Sequence, residues 1–77
     1  MNIEPFTLHV QTAPHHIDFL NRVFEAYDHL AIVSTLDNQE GIVAIRGFGK
    51  VGPVRRILRG LPFSAKIVYN SAEDVTK

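Results

Sequence analysis

Residues 30–48 read LAIVSTLDNQEGIVAIRGF and contain two β-rich runs separated by a polar loop. The runs cover residues 30–36 and 42–48, and the loop between them ends in Gly41. Aliphatic and β-branched residues on both sides of a polar, glycine-containing loop are typical of a β-hairpin. The stretch therefore predicts an antiparallel hairpin in the middle of the chain.

The first and last thirds of the chain each contain one further predicted strand. Residues 6–12 alternate apolar Phe6, Leu8 and Val10 with polar side chains, and residues 65–70 alternate in the same way. A period of two is the pattern of a strand with one buried face. The chain therefore has four predicted strands.

A helix is predicted between the first two strands, over residues 15–28. Pro14 suits its first turn, and Thr12 or Ala13 is the expected cap. Phe19, Val23 and Ala26 widen an apolar stripe that recurs at helical spacing. The stripe itself consists of Ile17, Leu20, Phe24 and Tyr27.

A second amphipathic helix is predicted between the hairpin and the last strand. Pro53 suits its first turn, and Gly60 followed by Pro62 ends it. Its apolar positions are Val51, Val54, Ile57, Leu58 and Leu61, and its polar face carries Lys50, Arg55, Arg56 and Arg59.

The order strand-helix-strand-strand-helix-strand predicts a ferredoxin-like α+β fold. Two helices that each carry one apolar stripe need a sheet face to cover. Right-handed crossovers around a central hairpin then give βαββαβ, a four-stranded antiparallel sheet with both helices on one face. We expect one domain over residues 1–77, with a core in 6–70 and a frayed polar tail at 71–77.

Composition excludes several classes of protein. The 77 residues are 45% hydrophobic and include no cysteine, which excludes disulfides, a thiolate nucleophile and cysteine-based zinc sites. No apolar run approaches the ~18 residues that cross a bilayer, and the N-terminus has no leader pattern. We expect a cytoplasmic protein with no membrane partner.

Charge is unevenly distributed although the net charge is zero. Residues 1–40 sum to −5, residues 41–70 sum to +6 and the tail adds −1. Such a split can steer a partner or complement a second copy of the chain. It is unlike the uniformly basic balance of a nucleic-acid binder, so we expect no nucleic-acid partner.

The two hairpin strands are apolar on both faces, which predicts a homodimer. A sheet with helices on one side should be polar on the other, and excess apolar residues on neighbouring strands indicate a covered surface. The predicted dimer surface consists of Leu30, Ile32, Leu36, Ile42, Ala44 and Phe48. Basic residues of the second helix could dock against Glu25 or Asp28 of the other copy.

Residues 47–52, GFGKVG, match the GxGxxG pattern of dinucleotide sites. The preceding hairpin and the short chain argue against a doubly wound sheet. Residues 46–49, RGFG, also match the start of an RNA-recognition motif, but Lys50 and Pro53 stand where that motif has aromatics. The hypothesis that survives is a small-anion site at the start of the second helix, formed by Arg46, Gly49, Lys50 and Arg55.

No catalytic, metal or cofactor site is predicted. His15 and His16 are adjacent, so on a helix they point about 100° apart and do not chelate one ion. The topology is similar to that of acylphosphatases, but residues 12–16, TAPHH, lack the arginine and glycines of their phosphate loop.

Residues 24–37, FEAYDHLAIVSTLD, carry a motif of the form E-x-Y-x-x-L-A-x-V-x-T-L-D. In this motif the chain resembles a small bacterial family catalogued as a domain of unknown function, with the resemblance extending over residues 6–62. The layout is also similar to ACT domains, regulatory modules that pair through sheets or helices and often bind amino acids. Pro14 matches the first residue of their Pro-Gly ligand loop, and His15 replaces the glycine.

We interpret the sequence as a non-enzymatic, ACT-like interaction or regulatory module that self-associates. The alternative is a domain that binds a small anion or metabolite at the N-terminus of the second helix, through Arg46, Lys50 and Arg55. The ACT-like layout supports the first interpretation, and the basic residues beside the glycine turn support the second.

Overall fold

A computed structural model describes residues 4–27 and 30–71, which form four strands and two helices. The strands are β1 (Pro5–Gln11), β2 (Ile32–Asp37), β3 (Ile42–Phe48) and β4 (Lys66–Asn70), and the helices are α1 (Ile17–Ala26) and α2 (Gly52–Arg59). A single 3₁₀ turn, Pro14–His16, leads directly into α1. The order of elements confirms the βαββαβ prediction.

The four strands form one antiparallel sheet in the order β2-β3-β1-β4. The two central strands, β1 and β3, pair over their whole length, from Pro5 opposite Phe48 to Gln11 opposite Ile42. This order is that of a ferredoxin-like α+β fold, as the sequence predicts.

The core lies between the sheet and the two helices. Phe6, Leu8 and Val10 of β1 are buried on this inner face, as their alternation with polar residues predicts. The helices contribute every third or fourth residue, because those positions share one side of a helix. The remaining buried apolar members of the core are Ile17, Leu20, Phe24, Val43, Ile45, Val54 and Leu58.

The hairpin loop is held by one carboxylate and one glycine. Oδ1 of Asp37 accepts hydrogen bonds from the amides of Gln39 (3.0 Å) and Glu40 (3.1 Å). Gly41 has a φ of +73°, a conformation that other residues rarely adopt. Its carbonyl accepts a hydrogen bond of 2.9 Å from the amide of Thr12, so the hairpin is fixed to the end of β1.

Each of the two edge strands contains a β-bulge. In β2 the register passes from Thr35 to Asp37, which leaves Leu36 without an opposite residue on β3. In β4 it passes from Ile67 to Tyr69, which leaves Val68 unpaired opposite β1. The bulge breaks the simple alternation predicted for the last strand. Asn70 consequently lies opposite Leu8 and is buried.

Three details of the predicted elements are wrong. Strand two begins at Ile32 rather than at residue 30, and Leu30 packs against the core instead. Of the two expected caps, Thr12 is wrong, because its hydroxyl donates a hydrogen bond of 2.8 Å to the carbonyl of Ser64, whereas Ala13 is the N-cap of the 3₁₀ turn that leads into α1. Helix α1 ends at Ala26, two residues before the predicted end, and residues 28 and 29 lie outside the described part of the chain.

The predicted frayed tail lies outside the described residues, apart from its first member. The hydroxyl of Ser71 accepts a hydrogen bond of 2.8 Å from the amide of Thr7, which fixes the end of β4 beside β1. Neither helix in residues 4–27 and 30–71 is long and apolar enough to span a bilayer.

Candidate functional site

The outer face of the sheet, which points away from the helices, carries the two most exposed large apolar side chains of the described residues. Ile32 lies opposite Arg46 in the β2–β3 register, and Phe48 follows Arg46 by two residues on the same face. Ile32 is 72% exposed and Phe48 is 70% exposed. Isolated exposed apolar residues are normal on protein surfaces. These two, however, lie on adjacent strands of the same face beside one arginine, and we call this pair the apolar patch.

The rest of the outer face is shallow and mostly uncharged. Ser34, Ala44, His9 and Tyr69 lie opposite one another across the four strands, and we call this line of residues the Ala44 row. Ala44 is fully buried, while the rings of His9 and Tyr69 are in contact at 4.9 Å between centroids. Ala44 is thus already covered by its neighbours within one subunit and adds no accessible area to this face.

Four of the six residues of the predicted dimer surface lie on the outer face, spread along β2 and β3. Ile32, Ala44 and Phe48 lie on the outer face, and half-buried Ile42 lies two residues from Ala44 on the same side. The bulged Leu36 is exposed at that end of the hairpin. Leu30 lies apart from them, because it packs against the helix-side core before β2 begins, and its part in the dimer surface stays a prediction.

Two of the three glycines in residues 47–52 are explained by packing and backbone conformation. A Cβ atom at position 47 would lie 2.7 Å from the buried Phe6 ring and 2.9 Å from the carbonyl oxygen of Leu30. Gly49 has a φ of +89°, and its amide donates a hydrogen bond of 2.8 Å to the carbonyl of Glu4. Glycine is therefore required at both positions for structural reasons, without a nucleotide.

The four residues of the predicted anion site do not converge. Arg46 lies on the outer face of the sheet, opposite to the side on which α2 packs. Arg55 lines a small cavity beside Ala65 and Ile67, near β4. The amide of Gly49 already bonds to Glu4, and Lys50 is exposed two residues before α2 begins. The anion-binding hypothesis stays a prediction to which this geometry adds no support.

A groove of about 780 Å³ lies on the helix side of the molecule, between α1 and α2. Helix α1 contributes the residues that widen its apolar stripe, and α2 contributes one side of its first two turns. We call this feature the interhelical groove. Its walls are formed by Phe19, Val23, Ala26, Tyr27, Leu30, Pro53, Arg56, Ile57, Gly60, Leu61 and Pro62.

An aromatic cluster supports one wall of the interhelical groove. The ring of Phe19 meets the ring of Phe63 edge to face, with 5.5 Å between centroids. Phe63 in turn stacks on His16 at 4.0 Å, and the His16 ring contacts His15 at 4.1 Å. Phe63 thus connects the segment after α2 to the start of α1, a contact between residues far apart in sequence.

Sequence reasoning missed the interhelical groove, although one signal pointed to it. Ile17, Leu20 and Phe24 are buried in the core, whereas Phe19 and Tyr27 remain 46% and 50% exposed. The predicted apolar stripe of α1 was therefore wider than the sheet could cover. The width of this stripe in the sequence therefore indicated a second apolar surface on α1 that the sheet leaves uncovered.

The histidines do not form a metal site with other ligands in the described part of the chain. No group of three or more His, Asp or Glu side chains suited to an ion occurs in residues 4–27 and 30–71. His9 and His16 instead make ring contacts with Tyr69 and Phe63. His29 lies outside the described residues.

A family model described as "Domain of unknown function (DUF4911)" matches residues 10–64. The chain belongs to this family. The match confirms the resemblance carried by residues 24–37, and the DUF4911 region contains both helices and the central hairpin but not β4. No curated protein and no solved structure matched the chain. Because the family description names no activity, the function of this DUF4911 domain must be argued from its surfaces.

Proposed function

We propose that this DUF4911 domain is a non-enzymatic interaction module with an ACT-like layout, and that it forms a homodimer through the outer face of its sheet. The observation that carries the proposal is the apolar patch of Ile32 and Phe48 beside Arg46. A regulatory role is part of the same proposal, because the fraction of a weak homodimer that is paired changes with the concentration of the protein.

The energy available from this patch supports weak association. Burying one large apolar side chain contributes roughly 1.5–3 kcal/mol. Two such residues per subunit then give about 6–12 kcal/mol for a symmetric pair, against an association cost of roughly 4–15 kcal/mol. The net free energy of dimerisation is therefore small, and we expect a dissociation constant in the micromolar range or weaker.

The size of the outer face leads to the same expectation. Four strands spaced ~4.8 Å apart and about 20 Å long offer a flat area of roughly 400 Å². A stable protein interface buries about 800 Å² of accessible surface on each partner. The outer face offers about half of that area, which fits only a weak and reversible pair.

The charge pattern of the outer face is compatible with a two-fold axis. The Ala44 row carries no acidic or basic residue other than His9. Arg46 lies two residues along β3 from this row. A two-fold axis along the row therefore places the Arg46 residues of the two subunits on opposite sides of it, about 13 Å apart along the strand direction at ~3.3 Å per residue. That separation keeps the two guanidinium groups out of direct contact with each other.

Sedimentation velocity over a wide concentration range, up to the millimolar level, tests this proposal. We expect wild-type protein to shift from monomer to dimer as concentration rises, and Phe48→Asp and Ile32→Asp to remain monomeric. Each substitution replaces an exposed apolar side chain with a carboxylate beside Arg46, and removing that ion pair from water on association would cost more than it gains.

Tyr27→Asp is the matched control for the opposite surface. Tyr27 is 50% exposed on the helix side, so the substitution adds the same charge without touching the outer face. Dimerisation that survives Phe48→Asp but is lost in Tyr27→Asp would show that the helices form the interface. A wild-type protein that stays monomeric at the highest concentration would refute self-association altogether.

A further inference from the structure

The interhelical groove lies on the side of the sheet opposite to the proposed dimer face, so an inference about it is independent of the proposed function. It runs along α1 from Phe19 to Tyr27, a distance of about 12 Å at 1.5 Å per residue. Its volume of about 780 Å³ is within the range of roughly 300–1,000 Å³ that is typical of small-molecule sites.

The chemistry of the groove walls defines the kind of ligand that they fit. The lining is almost entirely apolar and aromatic, and Arg56 is the one charged side chain among the described residues that form it. A ligand complementary to these walls has an apolar body and a single negative charge. A nucleotide or another polyanion would need several cationic groups, which these walls do not provide.

The groove is also organised before any ligand arrives. Phe19, which lies in the wall, packs edge to face against Phe63. Phe63 in turn stacks on the ring of His16. Aromatic contacts of this kind add to the stability gained by burial alone. A wall that is ordered in the free protein loses less conformational entropy on binding, which favours a small ligand.

We propose that the interhelical groove binds an amphipathic monocarboxylate, with an acyl or aryl body between α1 and α2 and its carboxylate on the guanidinium of Arg56. The planar guanidinium can offer two parallel N–H donors to one carboxylate. Val23, Ala26 and Ile57 supply the apolar contact for the body of the ligand.

Titration of ¹⁵N-labelled full-length protein by NMR, with octanoate and 3-phenylpropionate as separate probes, tests the proposal. Saturable shifts confined to the groove amides are expected for at least one probe, and the tighter probe identifies the body as acyl or aryl. Octan-1-ol and octylammonium should bind at least about tenfold more weakly than octanoate, because they lack the charge that pairs with Arg56. Acetate, which has no apolar body, should cause no shift.

Arg56→Gln and Arg59→Gln form a matched pair of variants. Both remove one positive charge from α2, but Arg59 lines a different cavity, beside Leu58 and Ala65. Arg56→Gln should weaken octanoate binding about tenfold and leave octan-1-ol binding unchanged, whereas Arg59→Gln should change neither. Ala26→Trp, at an exposed position of the wall, should block both carboxylates by filling the groove.

Three results would overturn the proposal. The first is an equal weakening of octanoate binding in Arg56→Gln and Arg59→Gln, which would indicate that the carboxylate is attracted to the net charge of α2 and not to Arg56. The second is octylammonium binding as tightly as octanoate. The third is a shift of the groove amides with protein concentration in the absence of any probe, which would mean that a second copy of the chain fills the groove.

Discussion

Gly41 has a left-handed backbone conformation and lies so close to the backbone of Thr12 that a side chain would not fit. Its φ is +73°, and a Cβ atom built on it would overlap the carbonyl oxygen of Thr12. Because the Thr12 amide also bonds to the carbonyl of Gly41, these two backbones cannot move apart without losing a hydrogen bond. The position therefore couples the central hairpin to the end of β1.

Gly41→Ala should lower the free energy of unfolding by about 2–5 kcal/mol. The left-handed conformation contributes about 1–2 kcal/mol for a residue with a Cβ atom, and the overlap with Thr12 adds about 1–3 kcal/mol of strain. Urea denaturation measures the change. Gly49→Ala is the control, since its φ is also positive but its surroundings are open, and it should lose only about 1–2 kcal/mol. Equal losses at the two positions would contradict the role given to the Thr12 contact.

At the level of single residues, sequence indicated the turn glycine but not the partner of Thr12. A glycine that ends a polar loop between two β-rich runs has a local signal, because the loop needs an unusual φ there. The hydroxyl of Thr12 can bond either to a nearby helix amide or to a distant carbonyl. It bonds to Ser64, 52 residues away, and no local pattern specifies that choice.

At the level of elements, the hairpin strand β3 was predicted with its observed ends, whereas the last strand was not. Residues 42–48 are bounded by glycine and polar residues on both sides, so their limits can be read from the pattern. The bulge at Val68 depends on how β4 pairs with β1. Pairing is a tertiary property, so the burial of Asn70 could not be predicted from alternation.

Strand β1 should contribute more to stability than the edge strand β4. Leu8 is fully buried at the centre of the sheet, between β3 and β4, whereas Val68 is bulged and 48% exposed. Leu8→Ala should lower the free energy of unfolding by about 2–5 kcal/mol through lost burial and a residual cavity. Val68→Ala should change it by less than about 0.5 kcal/mol. Thermal and urea denaturation of both variants would test the difference, and similar losses would contradict the assigned position of the core.

For the whole molecule, the topology was predictable but the interhelical groove was not. The sequence indicates the type of all four strands and both helices. Right-handed crossovers then leave few possible topologies for these six elements, so the order of the strands in the sheet can be predicted. The groove depends on how far apart α1 and α2 lie on the sheet. That distance is set by packing details such as the contacts of Phe63 with Phe19 and His16, which join two segments far apart in the sequence.

The melting temperature of the wild-type protein should rise with protein concentration if the outer face pairs. Association stabilises the folded state by mass action, and a gain of about 1 kcal/mol raises the melting temperature of a domain this small by roughly 4–8 °C. Scanning calorimetry at low and high concentration measures the shift. Phe48→Asp should melt at a concentration-independent temperature near that of the dilute wild type, because Phe48 is 70% exposed and supports little of the monomer fold. A large loss of stability in dilute Phe48→Asp would show that the residue has a structural role instead.

The bulges at Leu36 and Val68 also limit the kinds of assembly that the chain can form. Both edge strands of the sheet, β2 and β4, carry one, so neither presents a regular ladder of free amides and carbonyls to another chain. Strand-by-strand growth of the sheet, which leads to filaments and amyloid-like aggregates, is thereby discouraged at both ends. A domain with apolar patches on its outer face can then pair without polymerising, and its assemblies should be small and closed.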